Sequence, residues 1–457
     1  MLLVVLTILL GLLVLPYLFL KKRWGKLKKL GFPVILEPKF PFGSVTPIVT
    51  KSESQYDVMY KVAQDTNWAP VVGVYMMHNP IVVIQDPDLA KAVLVKDFGS
   101  FHDRMNPDFL SAWGRTKQKA DEILLYQMTS SPGELWRNLR TTFTPIFTSG
   151  KMKAMTVFIN ETGRRLVKAM DKIAEKGDTF EAKNVMGKFS MDTIASCAFG
   201  LDAKVHDSDK SVFAENASAM FSQTFTDMLK FFLVMAPFGP YIMRALRMSI
   251  MPKKETLFFY DVVLKTLQMR KETNTRRNDL IDMMLDAVKG DLEQDNDDDD
   301  QYDKDAKFQH KVSKKLDEFS IVATALVIMV AGYDTTGSTL AFTCHELAKY
   351  PEIQDKVREE VTDILDGKEE DIAYEDLQKM TYMDQVLSEV LRYHTPIANM
   401  QRNASEDYKL PDGLIIPKNT EVWINAIAFH KNPKYYKNPH SFDPEHFSSE
   451  AKAERHP

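Results

Sequence analysis

The sequence predicts a mainly α fold with a minor β component, and three observations predict it. Helical spacing of apolar residues runs through most of 134–201 and again through 318–394. Short β-branched and apolar segments are confined to 73–83 and 409–427. The run IVATALVIMVAG at 321–332 is apolar on every face, which marks a buried central helix; it is a dozen residues long and Asp334 follows it, too short for a membrane span. The 457 residues are 44% hydrophobic and 26% charged, enough apolar material to offset chain entropy, so a disordered chain is excluded. Two distant cysteines, Cys197 and Cys344, exclude a disulfide framework and any cluster or zinc site built on several thiolates.

The elements follow in order. Residues 1–20 carry no charged side chain, and a helix of that length spans about the 30 Å of a bilayer's hydrocarbon core. A cleavable signal would be shorter and preceded by its positive charge. Here the charge follows, as KKRWGKLKK, and keeps the rest of the chain cytosolic. The predicted organisation is therefore a single-pass anchor over 1–20, a basic and Pro/Gly-rich connector over 21–44, and the body over 45–457. In the body, 73–83 predicts a hairpin around an Asn79–Pro80 turn, 87–96 a short helix, and 409–427 strands broken by Pro411, Gly413 and Pro417. Nine acidic residues in 291–305 predict a solvated loop between helices; an EF-hand would need a central Gly and terminal Glu that are absent. Outside this run and the basic 21–29 segment the charge is nearly balanced, so no nucleic acid partner is expected. With the body in the cytosol, the glycosylation-like triplets at Asn160, Asn216 and Asn403 are chance matches.

Three constellations carry candidate chemistry. Ala331-Gly332-Tyr333-Asp334-Thr335-Thr336-Gly337 puts two glycines and a carboxylate in the buried helix, where each is costly. The Thr335 hydroxyl can bond the Ala331 carbonyl four residues back, and Gly332 would leave a notch for a small ligand beside an Asp334–Thr335 proton relay. A core helix with a polar kink would show the same residues. Glu389 and Arg392 form an i, i+3 pair of a kind common on exposed faces. Trp136 and Arg140, one turn apart, aim an N–H donor and a guanidinium the same way, which suits an anionic group; a core Trp beside a surface Arg reads identically. No G-x-S-x-G elbow occurs, and His345-Glu346 lacks the second histidine of a zinc protease.

In their order these segments resemble the cytochromes P450 of the membrane-anchored microsomal type. The resemblance covers nearly the whole chain: anchor and proline-rich hinge, FHDR at 101–104, WRNLR and FTPIFTSGKMKAM, DTIASCAFGLD at 192–202, AGYDTT, EVLR, Arg402, HKNPKYY, and FDPEHF at 442–447. The wording is most similar to the clan of animal drug- and toxin-metabolising enzymes, arthropod- or vertebrate-like. The resemblance implies a haem monooxygenase oxidising lipophilic small molecules with O2 and electrons from NADPH-cytochrome P450 reductase, with cytochrome b5 as a further donor, on the cytosolic face of the endoplasmic reticulum. It implies that Ala331 and Gly332 flank the oxygen site and that Asp334 and Thr335 guide protons there. It implies that Arg104, Trp136, Arg140 and Arg402 hold the haem propionates, and that Glu389 and Arg392 form a buried pair. An arginine normally completes that pair from the PERF-type segment; here the position is His446, whose charge depends on pH. Segments 105–128, 221–232 and 397–400 would line the substrate pocket.

The family carries its iron-ligating thiolate in a FxxGxRxCxG loop after the PERF-type segment. The sequence runs to Pro457 without it, and Cys197 and Cys344 read as small buried hydrophobes. The expectation is either an incomplete gene product or a naturally shortened form of a haem-thiolate monooxygenase, inactive by itself without the axial ligand; the alternative function is a truncated, inactive membrane-anchored isoform that binds apolar ligands or the reductase.

Overall fold

The computed structural model describes residues 14, 17–50, 52–201, 205, 212–221, 225–235, 238–277, 279–289, 316–367 and 371–455. Most of the anchor and the acidic run lie outside them. The body is mainly helical, as predicted, with two small sheets. The helices that matter for the site are α1 (Gly133–Phe143), α2 (Ser149–Lys176), α3 (Ala182–Phe199), α4 (Lys253–Thr273), α5 (Glu318–Lys349) and α6 (Thr381–Tyr393).

Among the described residues α5 is the one helix long and apolar enough to cross a membrane, yet it is the core of the body. Asp317 caps its start by accepting the Ser320 N–H at 3.0 Å. Residues 321–326 are buried on all sides, packed with Phe259 and Val263 of α4 and Met191 of α3. The expectation of burial on every face holds as far as Leu326; Val327, Ile328 and Val330 are half-buried. Ala331 is exposed, and so are Thr336 and, three turns after Ala331, Phe342. The apolar run is read by composition, and composition does not register which face lacks a neighbour.

The strands are β1 (Val71–Met76), β2 (Asn79–Ile84), β3 (Asn399–Asn403), β4 (Tyr408–Lys409), β5 (Ile415–Ile416) and β6 (Glu421–Asn425). The main sheet has the order β1-β2-β6-β3, with β2 and β6 parallel and the outer pairs antiparallel; β4 pairs with β5. The predicted hairpin is present, but its turn is at Met77-His78, with Met77 at φ +53°, and not at Asn79–Pro80. Pro80 lies near the start of β2, where a missing N–H is tolerated.

The connector is not a free spacer. Leu36 N–H bonds the Gly73 carbonyl at 2.9 Å, Gly73 N–H bonds Val34 at 2.8 Å, and Ser44 N–H bonds Tyr75 at 2.7 Å, so it covers the free edge of β1. Gly43, at φ +85°, permits this: a Cβ there would collide with the Tyr75 carbonyl. Leu27, within the basic stretch, is fully buried, and Trp24 Nε1 donates to the Met77 carbonyl at 2.7 Å. Of the glycosylation-like asparagines, Asn216 and Asn403 are buried.

Candidate active site

Helix α5 carries the first part of the site. Thr335 Oγ1 donates to the Ala331 carbonyl at 2.7 Å, as the four-residue spacing predicts, and the same bond repeats from Thr339 to Thr335 and from Thr343 to Thr339, each at 2.8 Å. Ala331 and Thr335 lie on the stripe that opens toward solvent. Gly332 corrects the sequence reading. A Cβ there would stand 3.0 Å from Ile194 Cδ1 and 3.3 Å from its Cγ1, so this glycine admits α3 rather than leaving a notch. A Cβ on Gly337 would likewise meet Gly187 Cα at 3.0 Å. Asp334 turns the same way and pairs with Lys183 Nζ at 3.2 Å. Ser190, 3% exposed, places its hydroxyl 2.7 Å from the Gly332 carbonyl and 2.9 Å from that of Tyr333. Lys183 and Ser190 were invisible to motif reading. Their signal is the spacing Lys183, Gly187, Ser190, Ile194, which lays two small residues along one face of α3.

The second part is a cluster of arginines. Asp103 ties three segments together: its carbonyl accepts the Asn403 N–H at 2.7 Å, and its carboxylate accepts the Gly133 N–H at 2.9 Å where α1 begins. The antiparallel bridge between Asp103 and Asn403 sets Arg104 opposite Arg402, and like charges so placed repel. Trp136 is buried against Phe98, and Arg140 follows one turn later on the same side of α1. Among the described residues no carboxylate pairs with Arg104, Arg140 or Arg402. Arg402 Nη1 donates to the Gln401 carbonyl at 2.8 Å, while its buried Nε has no partner. Burial first, then the charge of Arg104, pushes Arg402 down to about 10; burial and then Arg140 push Arg104 down. Facing guanidiniums with an orphaned buried N–H are complementary to an anion with several oxygens.

The third part is the pair on α6. Glu389 and Arg392 are fully buried and bidentate, with Nε–Oε2 and Nη2–Oε1 both 2.7 Å. Arg392 also donates to the carbonyls of His430 at 2.7 Å, Pro439 at 2.8 Å and Ser441 at 3.0 Å. His446 completes the group, its Nδ1 3.1 Å from Glu389 Oε1 and its Nε2 2.6 Å from the Lys437 carbonyl. Both partners are acceptors, so both ring nitrogens must donate and the imidazolium is favoured. The Glu389 bond accordingly raises the His446 pKa, against burial. Burial works to raise Glu389, but the bonds from Arg392 and His446 prevail and its pKa is lowered. A ring whose pKa is raised on folding stabilises fully below its unfolded value near 6.5 and loses that contribution as pH rises through the raised value. Chemical denaturation should therefore show the wild type losing about 1.5 kcal/mol relative to His446→Arg as pH rises from 6 to 9. Parallel pH profiles would contradict the pairing.

The apolar segments also converge. Phe109 packs on Phe231 at 5.8 Å, joining two of the expected pocket segments, while Ile397 and Met400 remain exposed at the start of β3. Both cysteines are free thiols. Cys197 is buried with its Sγ against the Met155 carbonyl, and burial pushes its thiol up to about 12; burial also raises Cys344.

The mainly helical body, its buried central helix and an arginine cluster that pairs with no carboxylate among the described residues agree with a haem monooxygenase. The chain belongs to the cytochrome P450 family: a family model described as Cytochrome P450 matches residues 35–457. It is of the arthropod type. It is 34% identical over 394 residues to cytochrome P450 6a2 of Drosophila melanogaster, covering 84% of this chain and 73% of that protein. It is 33% identical over 427 residues to cytochrome P450 6B1 of Papilio polyxenes, covering 91% and 78%. It is 31% identical over 453 residues to cytochrome P450 6A1 of Musca domestica, covering 96% and 81%. Membership implies haem, dioxygen, a small-molecule substrate and a redox partner. The arginine cluster and its orphaned Arg402 Nε have the charge and the donors that a carboxylate group such as a haem propionate would need.

Proposed function

We propose that the protein oxidises lipophilic small molecules, foreign compounds among them, with electrons from NADPH-cytochrome P450 reductase and from cytochrome b5. The anchor at 1–20 holds it to the endoplasmic reticulum with the body in the cytosol; the basic residues from Lys21 to Lys29 that follow the anchor support this orientation. When bound, the haem supplies the iron on which dioxygen is activated. Arg104, Arg140 and Arg402 hold the propionates, with the Trp136 indole N–H as a further donor. The observation that carries this reading is the facing, carboxylate-free pair Arg104 and Arg402.

Thr335 is the proton-handling group on the open stripe. Its hydroxyl hydrogen is committed to the Ala331 carbonyl, so its oxygen presents lone pairs to the site and can accept from a water or a protonated ligand. Asp334, one-third exposed and held by Lys183, exchanges protons with solvent and feeds that position. Ala331, exposed on the same stripe, flanks the oxygen site, and Gly332 serves by admitting α3. Glu389, Arg392 and His446 keep the region behind the site rigid. In haem-loaded enzyme that carries the family's cysteine loop, Thr335→Ala should lower product formed per NADPH by about tenfold or more, with the electrons appearing as hydrogen peroxide. Unchanged product yield would remove Thr335 from the mechanism.

A further inference from the structure

Three consecutive carbonyls of one turn of α5 each have a second hydroxyl donor. That of Ala331 takes Thr335 from within the helix, and those of Gly332 and Tyr333 share the single hydroxyl hydrogen of Ser190 on α3. In an undisturbed helix the latter two carbonyls serve the N–H groups of Thr336 and Gly337. A side chain that inserts into this ladder tilts the peptide planes outward and bends the helix. The same face of α3 fixes the turn at three further points. Lys183 holds the Asp334 carboxylate, Gly187 abuts Gly337, and Ile194 fills the space above Gly332. Ser190 is the member of this face that acts on the backbone of the turn by hydrogen bonding.

We propose that Ser190 is a positioning residue for Asp334 and Thr335. Its hydroxyl draws the carbonyls of Gly332 and Tyr333 toward α3. That opens the turn enough to set the Thr335 oxygen and the Asp334 carboxylate at their working separation. This rests on the proton-handling reading above. Misplacement of such a pair by about 1 Å is enough to cost on the order of a hundredfold in rate. A hydroxyl that merely fills a gap between packed helices would have no such consequence.

The test is hydrogen exchange on the full chain, resolved by overlapping peptides across 329–341, in wild type, Ser190→Ala and Ser190→Cys. With Ser190→Ala the carbonyls return wholly to the helix ladder. The amides of Thr336 and Gly337 should then exchange several-fold more slowly, with Ser190→Cys, a weaker donor, intermediate. In haem-loaded Ser190→Ala, product per NADPH should fall several-fold while substrate KM stays within twofold. Unchanged or faster exchange at those two amides would overturn the proposal, because loosened packing speeds exchange. So would slower exchange with unchanged product yield. If Thr335→Ala stays fully coupled while Ser190→Ala still slows exchange, the proton-handling reading fails and Ser190 is left with a hold on the helix alone.

Discussion

Arg392→Ala should lose about 3–5 kcal/mol of stability, a large share of the roughly 5–15 kcal/mol that keeps an ordinary protein folded. The reason is what remains after truncation. Glu389, fully buried, keeps its charge but loses both guanidinium bonds, retaining the Asp443 N–H at 2.8 Å and the His446 ring. The carbonyls of His430, Pro439 and Ser441 each lose a donor in a place water does not reach easily. These bonds join α6 to the 430–446 segment, so their loss unfastens two parts of the chain rather than one side chain. Nearby groups amplify the effect. His430 is pushed down to about 4 by burial and by the Arg392 charge, and Lys431 is pushed down to about 8 by the same two causes. Removing Arg392 relieves that repulsion, which offsets only part of the loss. Circular dichroism against denaturant reads the result directly. A cost below about 1 kcal/mol, typical of an exposed pair, would show that the cluster does not fasten the fold.

Arg402→Ala should act in opposite directions on the haem-free and haem-loaded protein. Without an anion, Arg402 opposes Arg104 across the bridge and buries an Nε with no partner, so truncation relieves repulsion and removes an unsatisfied donor. The melting temperature of the haem-free chain should rise. With haem, the same truncation leaves a propionate short of its charged partner, at a cost of about 2 kcal/mol or more, equivalent to roughly thirtyfold weaker binding. Thermal melting without haem and Soret titration with it give the two signs separately. A fall in both would mark Arg402 as a structural residue, and no change in affinity would place the haem carboxylates elsewhere.

The central helix was legible because its pattern is local: a twelve-residue run, apolar but for Thr324, followed by a polar turn, and a threonine hydroxyl that reached the predicted carbonyl. The fold class was legible for the same reason. What failed was the identity of neighbours. Gly332 was read as a notch because nothing in the sequence says which side α3 occupies, and Ile194 fills that side. The Asn79–Pro80 turn failed because Met77, a residue that turn statistics do not favour, takes the left-handed conformation. The connector is legible as Pro/Gly-rich by composition, but nothing in that composition shows that it pairs with the edge of β1. The arginines come from three distant segments, and family resemblance alone united them; the physical reason they meet is the bridge from Asp103 to Asn403. His446 was visible as a departure from the usual motif. Its second bond, to the Lys437 carbonyl, is what makes both nitrogens donors, and no spacing rule announces it.

The most direct test of the account is a comparison of haem with its dimethyl ester, whose propionates carry no charge. Titrated into wild-type protein at low salt, haem should bind at least about thirtyfold more tightly than the ester. That preference should shrink to near unity when Arg104 and Arg402 are both replaced by alanine. Equal affinity of the two compounds for the wild type, or a preference that survives the double substitution, would contradict the assignment of the arginine cluster as the haem's anchor.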